Sequence, residues 1–247
     1  MSWRIEESDA LTLLRELPSE WAQTCVTGPP RDVPVSELIA VLEETRRVLR
    51  ADGTLWLALP RGENSQRILA SLKDMAWQGS GRLRTPSGVV LFTKQPAHLY
   101  TPRLLPATLV ERRPRCASPH RLGGAWGARQ SPRRAFCVPA GSHDWLLPRA
   151  VIDWCILAST VPQACGVCGA PWQRAPFAVD REKEWRRGCV HLNGRGRSLV
   201  IDPYCGRGST GVVAQRRGRD FLGIEQSPAL AALARAHLTV AGQEMAR

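Results

Sequence analysis

Two acidic residues near the end of the chain each stand where a short apolar run stops. Asp202 follows the run 199–201, and Glu225 follows the run 221–224. Between them lie a glycine-rich turn, Gly206-Arg207-Gly208, and a stretch with helical character over 209–217. A strand, a glycine turn, a helix and a second strand that ends in an acid predict the nucleotide-binding half of a doubly wound sheet. The pattern indicates an adenosine-containing cofactor, and an ordinary βαβ unit is the alternative.

Four potential metal ligands stand close together further upstream. Cys165 and Cys168 have two residues between them, and Cys189 and His191 follow about twenty residues later. Thiolates and a neutral imidazole suit tetrahedral zinc, and a tight glycine-containing turn presents two sulfurs together. Because the protein would fill all four positions, the spacing predicts a structural and not a catalytic ion. The alternative is four unmetallated residues on a surface excursion.

Length and composition limit the classes of function. The chain has 247 residues, 43% of them hydrophobic, which suits one α/β domain with a small insertion. Its net charge of +12 indicates a polyanionic partner and favours nucleic acid; the alternative is a generally basic proteome, which would give the same excess of arginine. No apolar run is long enough for a membrane span, and the first residues do not resemble a signal peptide. Eight cysteines in such a chain indicate reduced thiols.

The remaining pattern predicts alternating helices and strands that would position these residues. The first helix, over 9–17, can be capped by Ser8 or Asp9, and a buried strand over 21–27 ends at Gly28-Pro29-Pro30-Arg31. Further predictions are helices over 36–50, 64–77, 148–160 and 227–240, a strand over 54–59, and a hairpin of 81–84 with 89–94.

The stretch 96–147 differs in composition from the rest of the chain. It is rich in proline, arginine and glycine, and it lacks a regular hydrophobic period. Its arginines include Arg112, Arg113, Arg115, Arg133 and Arg134. We expect these five to contact DNA phosphates, and a flexible arginine-rich loop is the alternative.

The glycine turn also carries a family resemblance. The segment Asp202-Pro-Tyr-Cys-Gly-Arg-Gly-Ser-Thr-Gly211, with the later Gly223-Ile224-Glu225, resembles the S-adenosylmethionine (AdoMet) motif of DNA amino-methyltransferases. These enzymes methylate N4 of cytosine or N6 of adenine. The resemblance implies that Glu225 holds the ribose hydroxyls and that Asp9 lies beside the adenine. The cofactor-binding residues that it implies are Asp9, Asp202, Tyr204, Gly206, Gly208, Ser209 and Glu225.

A second motif of that family has changed in this chain. The family pattern is Asp, Asn or Ser, then Pro-Pro and an aromatic residue; here it reads Gly28-Pro29-Pro30-Arg31, preceded by Thr27. In the family, the first side chain accepts hydrogens from the target amine, and the aromatic ring stacks on the flipped base. Gly28 offers no side-chain acceptor, whereas Thr27 offers a hydroxyl and the Arg31 guanidinium can stack. An active enzyme of reduced rate, an inactive DNA-binding relative, and methylation of RNA or protein therefore all stay open.

The order of the motifs resembles the circularly permuted beta arrangement of the family. It implies a doubly wound, mostly parallel α/β sheet with a small zinc-knuckle-like insertion. The predicted divisions are a catalytic half (1–95), a basic DNA-contacting segment (96–147), a helix returning to the core (148–161), the knuckle (162–193) and an AdoMet-binding half (194–247). We expect a cytoplasmic protein of bacterial or phage origin, with AdoMet and structural zinc as cofactors and DNA as partner.

Overall fold

The computed structural model describes residues 2–59, 62–82, 89–94, 147–174, 185–192 and 195–245. The helices are α1 (Ala10–Glu16), α2 (Val35–Val48), α3 (Glu63–Asp74), α4 (Arg149–Ser159), α5 (Ser209–Arg216) and α6 (Pro228–Met245). The main strands are β1 (Trp3–Glu7), β2 (Ala22–Thr27), β3 (Leu49–Ala58), β4 (Gln78–Arg82), β5 (Val89–Thr93), β10 (Leu199–Asp202) and β11 (Asp220–Glu225). Four two-residue strands complete the set: β6 (Ala164–Cys165), β7 (Gln173–Arg174), β8 (Trp185–Arg186) and β9 (Arg195–Gly196).

Seven strands form one sheet in the order β1-β11-β10-β2-β3-β5-β4. The five strands from β1 to β3 run parallel, and β5 is antiparallel to both of its neighbours. The predicted mostly parallel sheet is therefore confirmed. The chain enters the sheet at its edge with β1, and the last two strands insert between β1 and β2. This insertion places the two motif-bearing halves of the sequence side by side.

Helices cover both faces of the sheet, so its central strands, such as β2 and β10, are buried on two sides. One core contains the inward side chains of α1, α2 and α3, and the other contains those of α4, α5 and α6. Full burial explains the continuous apolar runs that mark these strands in the sequence. On the second face, the rings of Trp56 in β3 and Trp154 in α4 pack edge-to-face with their centroids 4.8 Å apart. The Trp56 indole N–H donates to the Ser159 hydroxyl at 2.6 Å.

The predicted junction between the second helix and the next strand is wrong by several residues. Helix α2 ends at Val48, and β3 begins at Leu49, five residues before the predicted start. The reason is pairing with β2: Leu49 lies opposite Ala22, and an irregularity after Ala22 absorbs the extra residues. The Trp21 amide also donates to the Val48 carbonyl at 2.7 Å, which holds the turn.

Two other helix ends differ from the predictions. Helix α3 stops at Asp74 because Ala76 adopts a left-handed backbone conformation with φ 57°. Helix α6 continues to Met245, where Ala241 still packs into the core. Strands β4 and β5 pair antiparallel, as the predicted hairpin requires, but β4 begins at Gln78, three residues before the predicted start, and the turn lies outside the described residues. The five predicted DNA-contacting arginines also lie outside them. Among the helices that the structure describes, none is long and apolar enough to span a membrane.

Candidate cofactor and base site

The loop after β10 makes a tight turn that leaves one side open. Gly206 has φ +53° and Gly208 has φ +77°, values that glycine adopts without strain. The Cys205 amide donates to Ile224 of β11 at 3.0 Å, and the Gly208 amide donates to the Cys205 carbonyl at 2.8 Å. A Cβ on Gly208 would press on Ala234, whereas a Cβ on Gly206 would meet no atom. The loop is therefore packed against α6 at Gly208 and accessible to a ligand at Gly206.

Glu225 connects that loop to the neighbouring strand end. One carboxylate oxygen accepts from the Gly206 amide at 2.9 Å, and the other accepts from the Ser227 amide at 2.9 Å. The side chain is half-buried. A carboxylate has about four acceptor positions, so two remain for further donors. This residue can hold a pair of hydroxyl groups while it keeps the glycine loop in place.

Asp202 is buried at the end of β10, and the protein uses both of its carboxylate oxygens. They accept from the Tyr204 amide at 3.2 Å and the Thr210 hydroxyl at 2.7 Å. Burial raises the pKa of Asp202 to about 6, against the lowering effect of nearby donors. One of these is the Thr27 hydroxyl, which faces the carboxylate without completing a hydrogen bond of good geometry. Asp202 thus shapes the loop from inside.

Asp9 follows β1, the neighbour of β11, and Tyr204 is part of the loop itself. Asp9 caps α1 by accepting from the Thr12 amide and hydroxyl, both at 2.8 Å, and these bonds lower its pKa. It follows β1 closely, and Ser8 donates to the Glu225 carbonyl at 3.3 Å. The Tyr204 side chain packs against the core beneath α1 and α2, where burial raises the pKa of its phenol. Cap geometry accounts for Asp9 by itself, and its position also puts it near Glu225.

Residues 27–31, which we call the Pro-Pro loop, lie next to the loop of residues 203–208, which we call the glycine loop. The two are neighbours because β2 pairs with β10. Thr27 ends β2 with only 1% of its surface exposed, so its hydroxyl is directed into the protein. Gly28 is half-buried, and Pro29 is buried. Pro30 and Arg31 are exposed at the start of the short connection to α2. The structure therefore brings the two predicted motifs to the carboxyl ends of the adjacent strands β2 and β10. The connection from β2 to β3 and the connection from β10 to β11 run in opposite directions from this point.

Two residues that hold the glycine loop were not predicted from the sequence. Thr210 binds Asp202, as described above, and His237 of α6 contacts the Arg207 carbonyl through Nδ1 at 2.9 Å. Ser209, which the sequence did indicate, is the first residue of α5 and is half-buried. Thr210 could have been found from its place in the motif. His237 carries no local signal, because its role depends on α6 packing beside a loop thirty residues away.

The four predicted metal ligands come together at the opposite edge of the sheet. The ligand atoms of Cys165, Cys168, Cys189 and His191 all lie within 4.8 Å of one another; we call this set the Cys/His cluster. Backbone donors, chiefly of Cys168 and Val167, lower the pKa of the Cys165 thiol to about 6. The cluster contains the donor types that zinc prefers, so it could hold such an ion.

Comparisons with known proteins agree with this architecture. Residues 111–236 match the family model N6_N4_Mtase, described as DNA methylase. The chain is also 30% identical over 277 residues to the type II methyltransferase M.XycI of Xanthomonas campestris pv. cyanopsidis, an alignment that covers 92% of this chain and 85% of that protein. This chain belongs to the N6_N4_Mtase family of DNA methylases. A second relative is the type II methyltransferase M.Cfr9I of Citrobacter freundii, 27% identical over 90% of this chain and 83% of that protein.

Solved structures show the same methylase fold. The cytosine-N4-specific PvuII DNA methyltransferase superposes with a TM-score of 0.61 at 16% identity, covering 96% of this chain and 86% of that one. The complex of M1.HpyAVI with SAM gives 0.58 at 14% identity, covering 96% and 98%. In this DNA methylase, Glu225 and the glycine loop lie at the carboxyl ends of the parallel strands, where open α/β sheets generally bind their ligands. The predicted family and fold are both confirmed.

Proposed function

We propose that this DNA methylase transfers a methyl group from AdoMet to an exocyclic amine of a DNA base, N4 of cytosine or N6 of adenine. The observation that carries the proposal is the contact between Glu225 and the Gly206 amide, beside the Pro-Pro loop. A carboxylate and an open glycine turn thus lie at the same edge of the sheet as the Pro-Pro loop.

The residues at this edge fit AdoMet. Glu225 would accept from the ribose hydroxyls, and Asp9, near the end of β1, would lie beside the adenine. Gly206 leaves room for the methionine part, since nothing lies within 4 Å of where its Cβ would be. Gly208, Ser209 and Asp202 hold the shape of the turn, and Tyr204 borders it. When bound, AdoMet supplies an electrophilic methyl group on a sulfonium.

The transfer would form a bond between the amine nitrogen and the methyl carbon while the sulfur–carbon bond breaks, so that the sulfonium leaves as a neutral thioether and the amine proton passes to solvent. The amine is a poor nucleophile because its lone pair is delocalised into the ring, so acceptors for its hydrogens assist the reaction. Gly28 can offer only its backbone carbonyl. Thr27 faces Asp202, which suits a residue that positions the loop from below. The exposed Arg31 would stack on the flipped base in place of an aromatic ring.

The rate should be reduced by this altered loop. Removing one hydrogen-bonding group at a reacting centre commonly costs on the order of 10²- to 10³-fold. Pro29 and Pro30 keep the backbone of the loop rigid, which preserves the position of the carbonyl. We therefore propose slow transfer by the unmodified protein.

DNA is the proposed macromolecular partner, and the cytoplasm is the proposed place of action. The net charge of +12 supports a polyanion, and the segment 96–147 would supply Arg112, Arg113, Arg115, Arg133 and Arg134 as phosphate contacts. The Cys/His cluster stands apart from this chemistry at the other edge of the sheet, so the ion that we propose for it, zinc, would have a structural role.

One observation favours a second candidate, a catalytically inactive DNA-binding protein with the same fold. The Thr27 hydroxyl has no exposed surface, and Gly28 has no side chain, so no side-chain acceptor of the Pro-Pro loop faces the base. Binding of AdoMet and DNA without transfer would support this candidate.

The test compares labelled methyl transfer from AdoMet to DNA, RNA and protein by the unmodified chain and by Gly28→Ser with Arg31→Tyr. Serine restores the acceptor and tyrosine the stacking face, so we expect slow transfer to DNA by the first and transfer about 10²- to 10³-fold faster by the second. The same pair of changes with Glu225→Ala is the matched control and should stay slow. Label on RNA or protein in place of DNA, or no label from the unmodified chain, would refute the proposal.

A further inference from the structure

We propose that the Cys/His cluster is a structural zinc site. The zinc-bound insertion, of which residues 162–174 and 185–192 are described, would then hold the beginnings of strands β2, β3 and β10 together as a clamp. Nothing in the methyl-transfer reaction requires this site. The inference rests on the geometry of the four ligands and on the hydrogen bonds that join the insertion to the sheet.

The geometry already approaches a tetrahedral site. Regular tetrahedral zinc with bonds of about 2.3 Å to sulfur has ligand atoms roughly 3.8 Å apart, so a set within 4.8 Å needs only a small contraction. All three cysteines of the set are free thiols. The Val167 amide donates to Cys165 Sγ at 3.4 Å, so the turn holds this sulfur in place beside the other ligand atoms. His191 Nδ1 is buried and has no hydrogen-bond partner among the described residues. Three thiolates with one imidazole favour zinc over oxygen-seeking ions.

The two cysteine-bearing parts of the insertion are fitted closely to each other. A Cβ on Gly188 would lie 2.3 Å from the Pro171 carbonyl, so only glycine allows this approach. Arg187 lies over the Trp172 ring at 5.5 Å and donates to the His191 carbonyl at 2.7 Å. Strands β7 and β8 pair across the same junction. The backbone thus brings residues twenty positions apart together at the four ligands, as a closed structural zinc site requires.

Cys168 and the residue after it, Gly169, contact the main sheet through their backbone carbonyls. Arg50 of β3 donates to the Cys168 carbonyl at 2.5 Å. Gln23 of β2 donates to the Gly169 carbonyl at 2.5 Å, and its amide oxygen accepts from the Leu199 amide at 2.5 Å. Gln23 is only 2% exposed, so both of its polar groups depend on these partners. Gly169 has φ +66°, which lets its backbone approach Gln23.

These contacts connect the ion to the strand that carries the cofactor loop. Leu199 begins β10, and Asp202 ends it three residues later. A bound zinc ion would hold Cys168 in place. The Cys168 and Gly169 carbonyls accept hydrogen bonds from Arg50 and Gln23, and Gln23 in turn accepts from the Leu199 amide at the start of β10. Loss of the ion should therefore loosen the beginnings of three strands as well as the insertion.

The first experiment measures zinc in the purified full chain by elemental analysis. We expect about one zinc ion per chain, and less than about a tenth of that in Cys168→Ser. Cys155→Ala is the matched control because Cys155 is buried in α4 away from the cluster, and it should keep its zinc. Cobalt loaded in place of zinc should give the intense visible bands of a tetrahedral thiolate site. A folded chain without metal, or a six-coordinate cobalt spectrum, would overturn the site even if a variant failed to fold.

The second experiment tests the clamp by hydrogen exchange with and without a chelator. Metal removal should raise exchange at the Leu199 and Gly169 amides and across the first residues of β2. Gln23→Met should retain zinc yet raise exchange at Leu199, because the Leu199 amide then loses its acceptor and the Gly169 carbonyl its donor. Unchanged exchange at Leu199 after the ion has gone, or in Gln23→Met, would overturn the clamp. Neither readout depends on methyl transfer.

Discussion

The Glu225 carboxylate accepts two backbone hydrogen bonds within the protein and, in the proposed function, the ribose hydroxyls as well. Replacing it by glutamine keeps one acceptor oxygen and removes the charge. Hydrogen bonds to charged groups contribute about 1.5–3 kcal/mol, so Glu225→Gln should weaken AdoMet binding roughly 10- to 100-fold. Calorimetric titration measures the change.

Glu244→Gln is the control for that experiment. Glu244 forms an exposed ion pair with Arg216 at the far end of α6, and its loss should leave AdoMet affinity unchanged. Equal affinities for the unmodified chain and Glu225→Gln would show that the ribose is held elsewhere.

Asp202 gives the protein a specific dependence on pH. Its pKa is about 6 when folded, above the ordinary value of 3.8, so between these values the folded chain binds more protons than the unfolded chain. Its contribution to stability is therefore present at low pH and is lost as pH rises through 6, with a slope of at most about 1.4 kcal/mol per pH unit. We expect Asp202→Asn to lose stability relative to the unmodified chain as pH falls from 7 to 5.

Urea unfolding of both proteins at the two pH values measures this difference. The other carboxyl groups titrate alike in the two chains, so they cancel in the comparison. Parallel pH profiles would mean that Asp202 has an ordinary pKa.

At the scale of single elements, the turn into α5 depends on Gly208 in two ways. It adopts φ +77°, and a Cβ there would lie 3.0 Å from the Ala234 side chain. Gly208→Ala should therefore combine left-handed strain of about 1–2 kcal/mol with a clash against α6. Gly218 also has a left-handed φ, +70°, but has open space around it, so Gly218→Ala measures the backbone strain without a clash. Gly62 has an extended backbone and no close neighbour, so Gly62→Ala should cause neither strain nor a clash.

Thermal unfolding of the three alanine variants should rank them. Gly208→Ala should be the least stable, Gly218→Ala intermediate, and Gly62→Ala close to the unmodified chain. Equal stability of Gly208→Ala and Gly218→Ala would show that α6 yields to the added methyl group.

Most elements could be predicted from the sequence because their signals are local. The buried strands show continuous apolar runs, and Asp9, Pro228 and the glycine turn mark helix beginnings. The junction at Leu49 could not be predicted, since it follows from pairing with β2 twenty-seven positions away. For the same reason the sequence did not reveal His237 on the Arg207 carbonyl, or Gln23 between Gly169 and Leu199. The only sequence signal for the Gln23 contacts is that a glutamine stands inside a strand of otherwise buried residues.

At the scale of the whole molecule, the order of strands joins two motifs that lie far apart in the chain. Thr27 and Asp202 end adjacent strands although 174 residues separate them. The site is therefore sensitive to tertiary packing, whereas DNA affinity should depend on charges outside the sheet. Replacing Arg112 and Arg113 by glutamine should weaken DNA binding and lower the slope of log affinity against log salt by about 2, because each phosphate contact contributes roughly 0.9.

A matched pair of arginines checks that the effect is local. Arg4 and Arg216 are exposed and form surface ion pairs with Glu6 and Glu244, and their replacement by glutamine should leave the salt slope unchanged. Fluorescence anisotropy with duplex DNA over a range of salt concentrations measures both variants. An equal change in slope for the two pairs would mean that net charge alone attracts DNA.

In the proposed function, the methyl group reaches an exocyclic amine of a DNA base. Mass spectrometry of nucleosides, after the protein has been incubated with unmethylated DNA and AdoMet, tests it most directly. We predict N4-methylcytosine or N6-methyladenine from the unmodified chain, formed slowly, and more of the same nucleoside from Gly28→Ser with Arg31→Tyr. The appearance of 5-methylcytosine, or of no methylated nucleoside while AdoMet and DNA both bind, would contradict it.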